Sequence, residues 1–69
     1  MRLTHDPQAD AAYIYLKDIR PGEVVETIPC LHSADHSINL DYNEKGQLVG
    51  IEILGARKAI PAEALDESG

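Results

Sequence analysis

SINLDYNEKGQLVGIEIL, residues Ser37 to Leu54, is the stretch where turn chemistry and side-chain alternation specify the same β-hairpin. Ile38, Leu40 and Tyr42 share one face of the first strand, because successive strand side chains point to opposite sides. On the return strand the apolar set is Val49, Ile51 and Ile53. An even-numbered set lies beside an odd-numbered one only if the loop holds an even number of residues. A one-residue slip would turn one strand's apolar side chains to the polar side. The four-residue loop Asn43-Glu44-Lys45-Gly46 meets this parity and ends on Gly, the residue that enters φ > 0 most easily. The register then pairs Tyr42 with Gln47, Leu40 with Val49 and Ile38 with Ile51. The other face carries Asn39, Asp41, Leu48, Gly50 and Glu52, with Gly50 opposite Asn39. A Gly inside a strand marks a bulge or a close approach, and a local bend is the simpler reading.

Working outward, Arg2 to His5 forms a short first strand, and Asp6-Pro7-Gln8-Ala9-Asp10 turns the chain, since Asp before Pro favours an extended residue entering a turn. Ala12 to Lys17 is the second strand, rich in Tyr and Ile. Its faces, Ala12/Ile14/Leu16 and Tyr13/Tyr15, are both apolar enough for burial, so periodicity leaves the core side open. Pro21-Gly22 turns the chain again, Glu23 to Ile28 is the third strand, and Pro29, with no N–H for the ladder, is expected to end it. Pro29 to His36, PCLHSADH, reads as a loop. Gly55 breaks the last strand, and Pro61 suits the first turn of a short C-terminal helix through AEALDE. The expected fold is mainly β (α+β): an antiparallel β-meander of about five strands with a short C-terminal helix, in one domain spanning residues 1–69.

Sixty-nine residues bury only about three fifths of their unfolded surface. Phe and Trp are absent, leaving three Tyr and one Met among aliphatic residues. A single-layer sheet of this size leaves one apolar face needing cover from the C-terminal segment or from another protein, so a homo-oligomer is expected. The 12 Asp and Glu outweigh 6 Lys and Arg, for a net charge of -6. That balance disfavours nucleic acid and anionic membrane and suits a basic protein partner. Cys30 stands alone, so no intramolecular disulfide forms. The start MRLTHDPQAD has no apolar targeting core and no stretch approaches a membrane span, which makes the cytoplasm the expected compartment.

Three segments resemble a family of small bacterial and archaeal proteins of unknown function, DUF2283. Asp6 to Ile14, DPQADAAYI, is similar to the family's DPEADALYI start. Asn39 to Gly46, NLDYNEKG, is similar to its VDYDEDG, and Gly50 to Leu54 to its GIEIL. Their order and spacing cover roughly the first fifty-five residues, which makes the resemblance fairly specific. PCLHSADH departs from it, being longer and richer in His than the usual link, and residues beyond Arg57 lie outside the pattern. The resemblance implies a small antiparallel sheet, no established activity, and an antitoxin-like association with a toxin-like partner.

Candidate chemistry is sparse. Cys30, His32 and His36 give C-x-H-x3-H, and zinc accepts these ligand types, but the expected loop offers no helical face to converge the two His, and a fourth ligand is missing. Solvated His side chains are the simpler reading, and no cofactor is expected. Asp6, Asp10, Asp41 and Glu52 match the resembled motifs. Paired carboxylates can work as acid and base when burial separates their pKa values, yet turn Asp commonly accepts bonds from its own backbone. Glu52, mid-strand, is expected to pair with Arg or Lys of a neighbouring strand. Tyr13, Tyr15 and Tyr42 lack the basic groove that base stacking would require.

The sequence therefore favours a non-enzymatic protein-binding module, antitoxin-like toward a basic protein, with Asp41, Glu52 and Tyr15 as contact residues. One alternative is a small metal-binding or hydrolytic protein using Cys30, His32 and His36. The other is a purely structural homo-oligomer.

Overall fold

The computed structural model describes residues 1–68, with side chains described through Leu65. Five strands form one antiparallel sheet: β1 (Arg2–Asp6), β2 (Ala11–Tyr15), β3 (Glu26–His32), β4 (Ser37–Tyr42) and β5 (Leu48–Leu54). Two short helices follow, α1 (Ala56–Ala59) and α2 (Ala62–Ser68). The mainly β class, five antiparallel strands and C-terminal helix are those expected from sequence. The connectivity differs from a simple meander, since the order is β1-β2-β5-β4-β3. β3, β4 and β5 are joined as hairpins and β2 lies beside β5, a Greek-key arrangement. Residues 16–25 make the long connection, with Lys17 donating to Glu23 at 2.5 Å and Gly22 turning the chain at φ 81°.

The central hairpin keeps the expected faces with a different register. Ile38 pairs Ile53, Leu40 pairs Ile51, and Asp41, not Asn39, lies opposite Gly50. The four-residue loop is corrected to three. Asn43 N donates to Gln47 O and Gly46 N to Asn43 O, with Gly46 at φ 76°, so Glu44-Lys45-Gly46 forms a type I turn closed by a left-handed Gly. Asn43 Oδ1 also accepts from the N–H groups of Lys45 and Gln47. The odd loop would misalign the strands, but the register shifts beside Asp41 and Tyr42, where β5 contributes an extra residue. This bulge restores the parity that aligns Ile38 and Leu40 with Ile53 and Ile51.

β3 begins later and runs further than expected. Pro29 does not end it: Pro29 pairs Asn39 and Leu31 pairs Ile38, with Cys30 as the extra residue between them. Proline fits here because β3 is an edge strand and the irregularity follows immediately. The first half of the expected loop PCLHSADH, through His32, is thus strand, and the second half is a tight turn in which Ser33 N donates to His36 O and Ser33 Oγ accepts from the N–H groups of Asp35 and His36.

Ala12 and Ile14 turn to the helix side of the sheet. Ala12, Ile53, Ala56 and Leu65 form the buried cluster, with Leu3, Ile14, Ile38, Ile51, Ala59 and Ile60 packed against it. The α1 turn, absent from the sequence reading, depends on a distant residue. Asp10, at φ 51°, accepts Gly55 N and Ala56 N on its backbone oxygen and Arg57 N on Oδ1 at 3.1 Å. These are the amides a helix start leaves unpaired. Among the described residues, no helix is long and apolar enough to cross a membrane.

Candidate functional site

Among the described residues, no second layer covers the sheet face opposite the helices, and that face carries Asp41 and Glu52 of the resembled motifs. Rows of cross-strand neighbours can be read from the register: Thr4, Tyr13, Glu52, Asn39 and Pro29 in one, Arg2, Tyr15, Gly50, Asp41 and Thr27 in the next. Asp41, Glu52 and Tyr15 therefore stand on one surface. Tyr13, Asn39 and Thr27 join them there, residues that the sequence reading did not select as contacts.

Gly50 creates the geometry at the centre. A Cβ there would overlap the hydroxyl and ring of Tyr13. The absence of a side chain lets the phenol lie across β5 and reach β4, a close approach rather than the simple bend expected. Tyr13 Oη donates to Asp41 Oδ2 at 2.5 Å, and Thr27 Oγ1 donates to Asp41 Oδ1 at 2.6 Å. Asn39 Nδ2 donates to Glu52 Oε1 at 3.1 Å, correcting the expected ion pair at Glu52. Tyr13 and Tyr15 are in ring contact with centroids 4.6 Å apart, and the Arg2 guanidinium covers Tyr15 at 4.3 Å. Burial, reinforced by the bond to the Asp41 carboxylate, pushes the Tyr13 phenol well above the usual tyrosine range.

The partners of Asp41 and Glu52 are neutral. Ion pairs among the described residues join Arg2 to Asp18, Arg57 to Asp10, Lys17 to Glu23 and Lys58 to Asp35, and the His5 ring lies within hydrogen-bond distance of Asp10. Neither half-buried carboxylate of the open face takes part in them.

The remaining carboxylates of the motifs are structural. Asp6 Oδ1 accepts Gln8 N at 3.0 Å and Ala9 N at 3.4 Å, locking the β1–β2 turn. Asp10 anchors α1 and pairs with His5 Nε2 at 3.2 Å. Cys30 is exposed in the β3 bulge, His32 pairs with Ser37, and the backbone and Cβ of His36 lie against Gly55. Among the described residues, no three His, Cys, Asp or Glu side chains are grouped so that they could hold a metal ion.

No curated protein and no solved structure matches the chain. A family model described as a protein of unknown function (DUF2283) matches residues 2–57. That span takes in the Asp6 turn, the Asp10 anchor and every residue of the Tyr13–Gly50–Asp41 arrangement, and the chain belongs to the DUF2283 family.

Proposed function

We propose that this chain is a non-enzymatic protein-binding module whose open sheet face receives a cationic side chain, Arg or Lys, from a basic protein. The observation that carries this reading is the pair of half-buried carboxylates, Asp41 and Glu52, bonded to neutral donors and paired with no cation among the described residues. A partly desolvated carboxylate gains more from an opposite charge than a solvated one does. Tyr13 lies between them and adds an aromatic surface, and its neighbour Tyr15 already takes a guanidinium from Arg2. The net charge of -6 would steer a basic partner toward the chain. An antitoxin-like role, in which that partner is a basic toxin, is one form of this function.

Co-purification from the native host, with the products of neighbouring genes present, tests it. A basic protein should accompany the wild type at low salt and be released as salt rises. It should be lost from a variant carrying Asp41→Asn and Glu52→Gln. Absence of any basic protein, or a complex unaffected by these changes, would remove the proposal.

A further inference from the structure

Two adjacent rows on the open face cross the same three strands: Arg2, Tyr15 and Gly50 in one, Thr4, Tyr13 and Glu52 in the other. In the first row the Arg2 side chain folds over the ring of Tyr15, its guanidinium 4.3 Å from the centroid. In the second row Thr4 is too short to cover Tyr13 in the same way. The Tyr13 ring also leans across Gly50 to bond Asp41 on β4, away from β1. The space left beside it is a hollow of about 290 Å³, lined on this face by Thr4, Asp6, Ala11, Tyr13 and Glu52. Ala11 stands between Asp6 and Leu54 in the next row, and its single methyl keeps the floor low.

We infer, resting on the proposed reception of a cation at the open face, that this hollow seats the guanidinium of an arginine side chain and selects arginine over lysine. Asp6 and Glu52 stand on β1 and β5 with β2 between them, so their backbones are about 9–10 Å apart. Both carboxylates have acceptor capacity to spare. Asn39 donates to one oxygen of Glu52, and the amides of Gln8 and Ala9 donate to one oxygen of Asp6. An ammonium is a compact charge, and two bonds of about 2.8 Å through it join acceptors no more than about 5.6 Å apart. A planar guanidinium spreads five N–H donors along its edges, so it bridges a wider gap while stacking on an aromatic ring. Tyr13 supplies the ring, and Arg2 over Tyr15 makes the same contact one row away. The lining of the hollow holds two carboxylates and no Lys or Arg, so an incoming guanidinium meets opposite charge on two sides and an aromatic surface on a third.

Two capped serine–glycine peptides, identical except that one carries three arginines and the other three lysines, test this by titration followed in two-dimensional NMR. The arginine peptide should bind the wild type about tenfold more tightly, with its largest shifts at Thr4, Asp6, Ala11 and Glu52. Asp6→Asn keeps an acceptor for the turn amides, and Ala11→Leu fills the hollow while leaving Asp41 and Glu52 charged. Each should reduce the arginine peptide to the affinity of the lysine peptide, with circular dichroism showing that the variant is folded. Equal affinities in the wild type, both lost in the variant carrying Asp41→Asn and Glu52→Gln, would overturn the choice of arginine and leave the proposed function standing. Binding of neither peptide would remove both. An arginine preference that survives either substitution in folded protein would overturn the hollow as its seat.

Discussion

Tyr13 lies across Gly50, occupying the space a Cβ would fill. The ring belongs to β2 and its hydroxyl bonds to Asp41 on β4, so one side chain links three adjacent strands. In Gly50→Ala the ring must move and the bond to Asp41 is broken or bent. A hydrogen bond to a charged group is worth about 1.5–3 kcal/mol, offset by the about 0.5–1 kcal/mol that Ala gains over Gly within a strand. The expected net loss is about 1–2 kcal/mol in urea unfolding. In a Tyr13→Ala background the same substitution should be neutral or stabilising. A double-mutant cycle with no coupling would show that the ring and the glycine are independent.

The phenol of Tyr13 also makes stability depend on alkaline pH. Its folded pKa is raised by burial and by Asp41, so the native state holds the proton more tightly than the unfolded chain. The contribution is fully present below the unfolded value of about 10 and declines as pH rises from there through the folded value. Tyrosinate absorbance should show an ionisation well above the ordinary tyrosine range in the wild type and lose that step in Tyr13→Phe. Identical titrations above pH about 10 would contradict the burial of this hydroxyl.

Asp10 anchors α1 from outside the helix, through its side chain to Arg57 N and its backbone to Gly55 N and Ala56 N. Asp10→Ala should lower stability by about 1–2 kcal/mol, the usual effect of removing a cap, with added strain from its positive φ. Asp10→Asn keeps an acceptor and tolerates that conformation, so it should lose less. Equal denaturation midpoints for wild type and Asp10→Ala would refute the anchoring role.

Gly46 closes the three-residue turn at φ 76° in open space. Ala there meets no atom but must adopt a left-handed backbone, costing about 1–2 kcal/mol. Deletion of Lys45 should do more harm, because it removes the parity that the extra residue of β5 compensates. Amide exchange of β4 and β5 in the two variants would distinguish local strain from a slipped register.

Much of this arrangement was legible in sequence because apolar periodicity is a strong constraint. The faces of Ile38, Leu40, Ile51 and Ile53 followed from parity alone. Their partners did not, since an even number of intervening residues arises equally from a four-residue loop or from a three-residue loop plus a bulge. Pro29 was misleading because its missing N–H matters little on an edge strand. The open face was partly visible through Asp41, Glu52 and Tyr15. Tyr13 could have been added from the Gly within β5, since a glycine inside a strand invites a neighbouring ring. The Asp10–Arg57 contact joins residues far apart in sequence and carries no local signal, so α1 was hidden with it.

If the open face receives a cation, Asp41 and Glu52 attract one more strongly than the acidic residues elsewhere on the chain. Two-dimensional NMR during titration with an arginine- and lysine-rich peptide measures this directly. Shifts should concentrate at Tyr13, Thr27, Asn39, Asp41 and Glu52 and be lost in the variant carrying Asp41→Asn and Glu52→Gln. Equal shifts spread over exposed acidic sites such as Asp18, Glu44 and Glu63, unchanged in that variant, would contradict that preference.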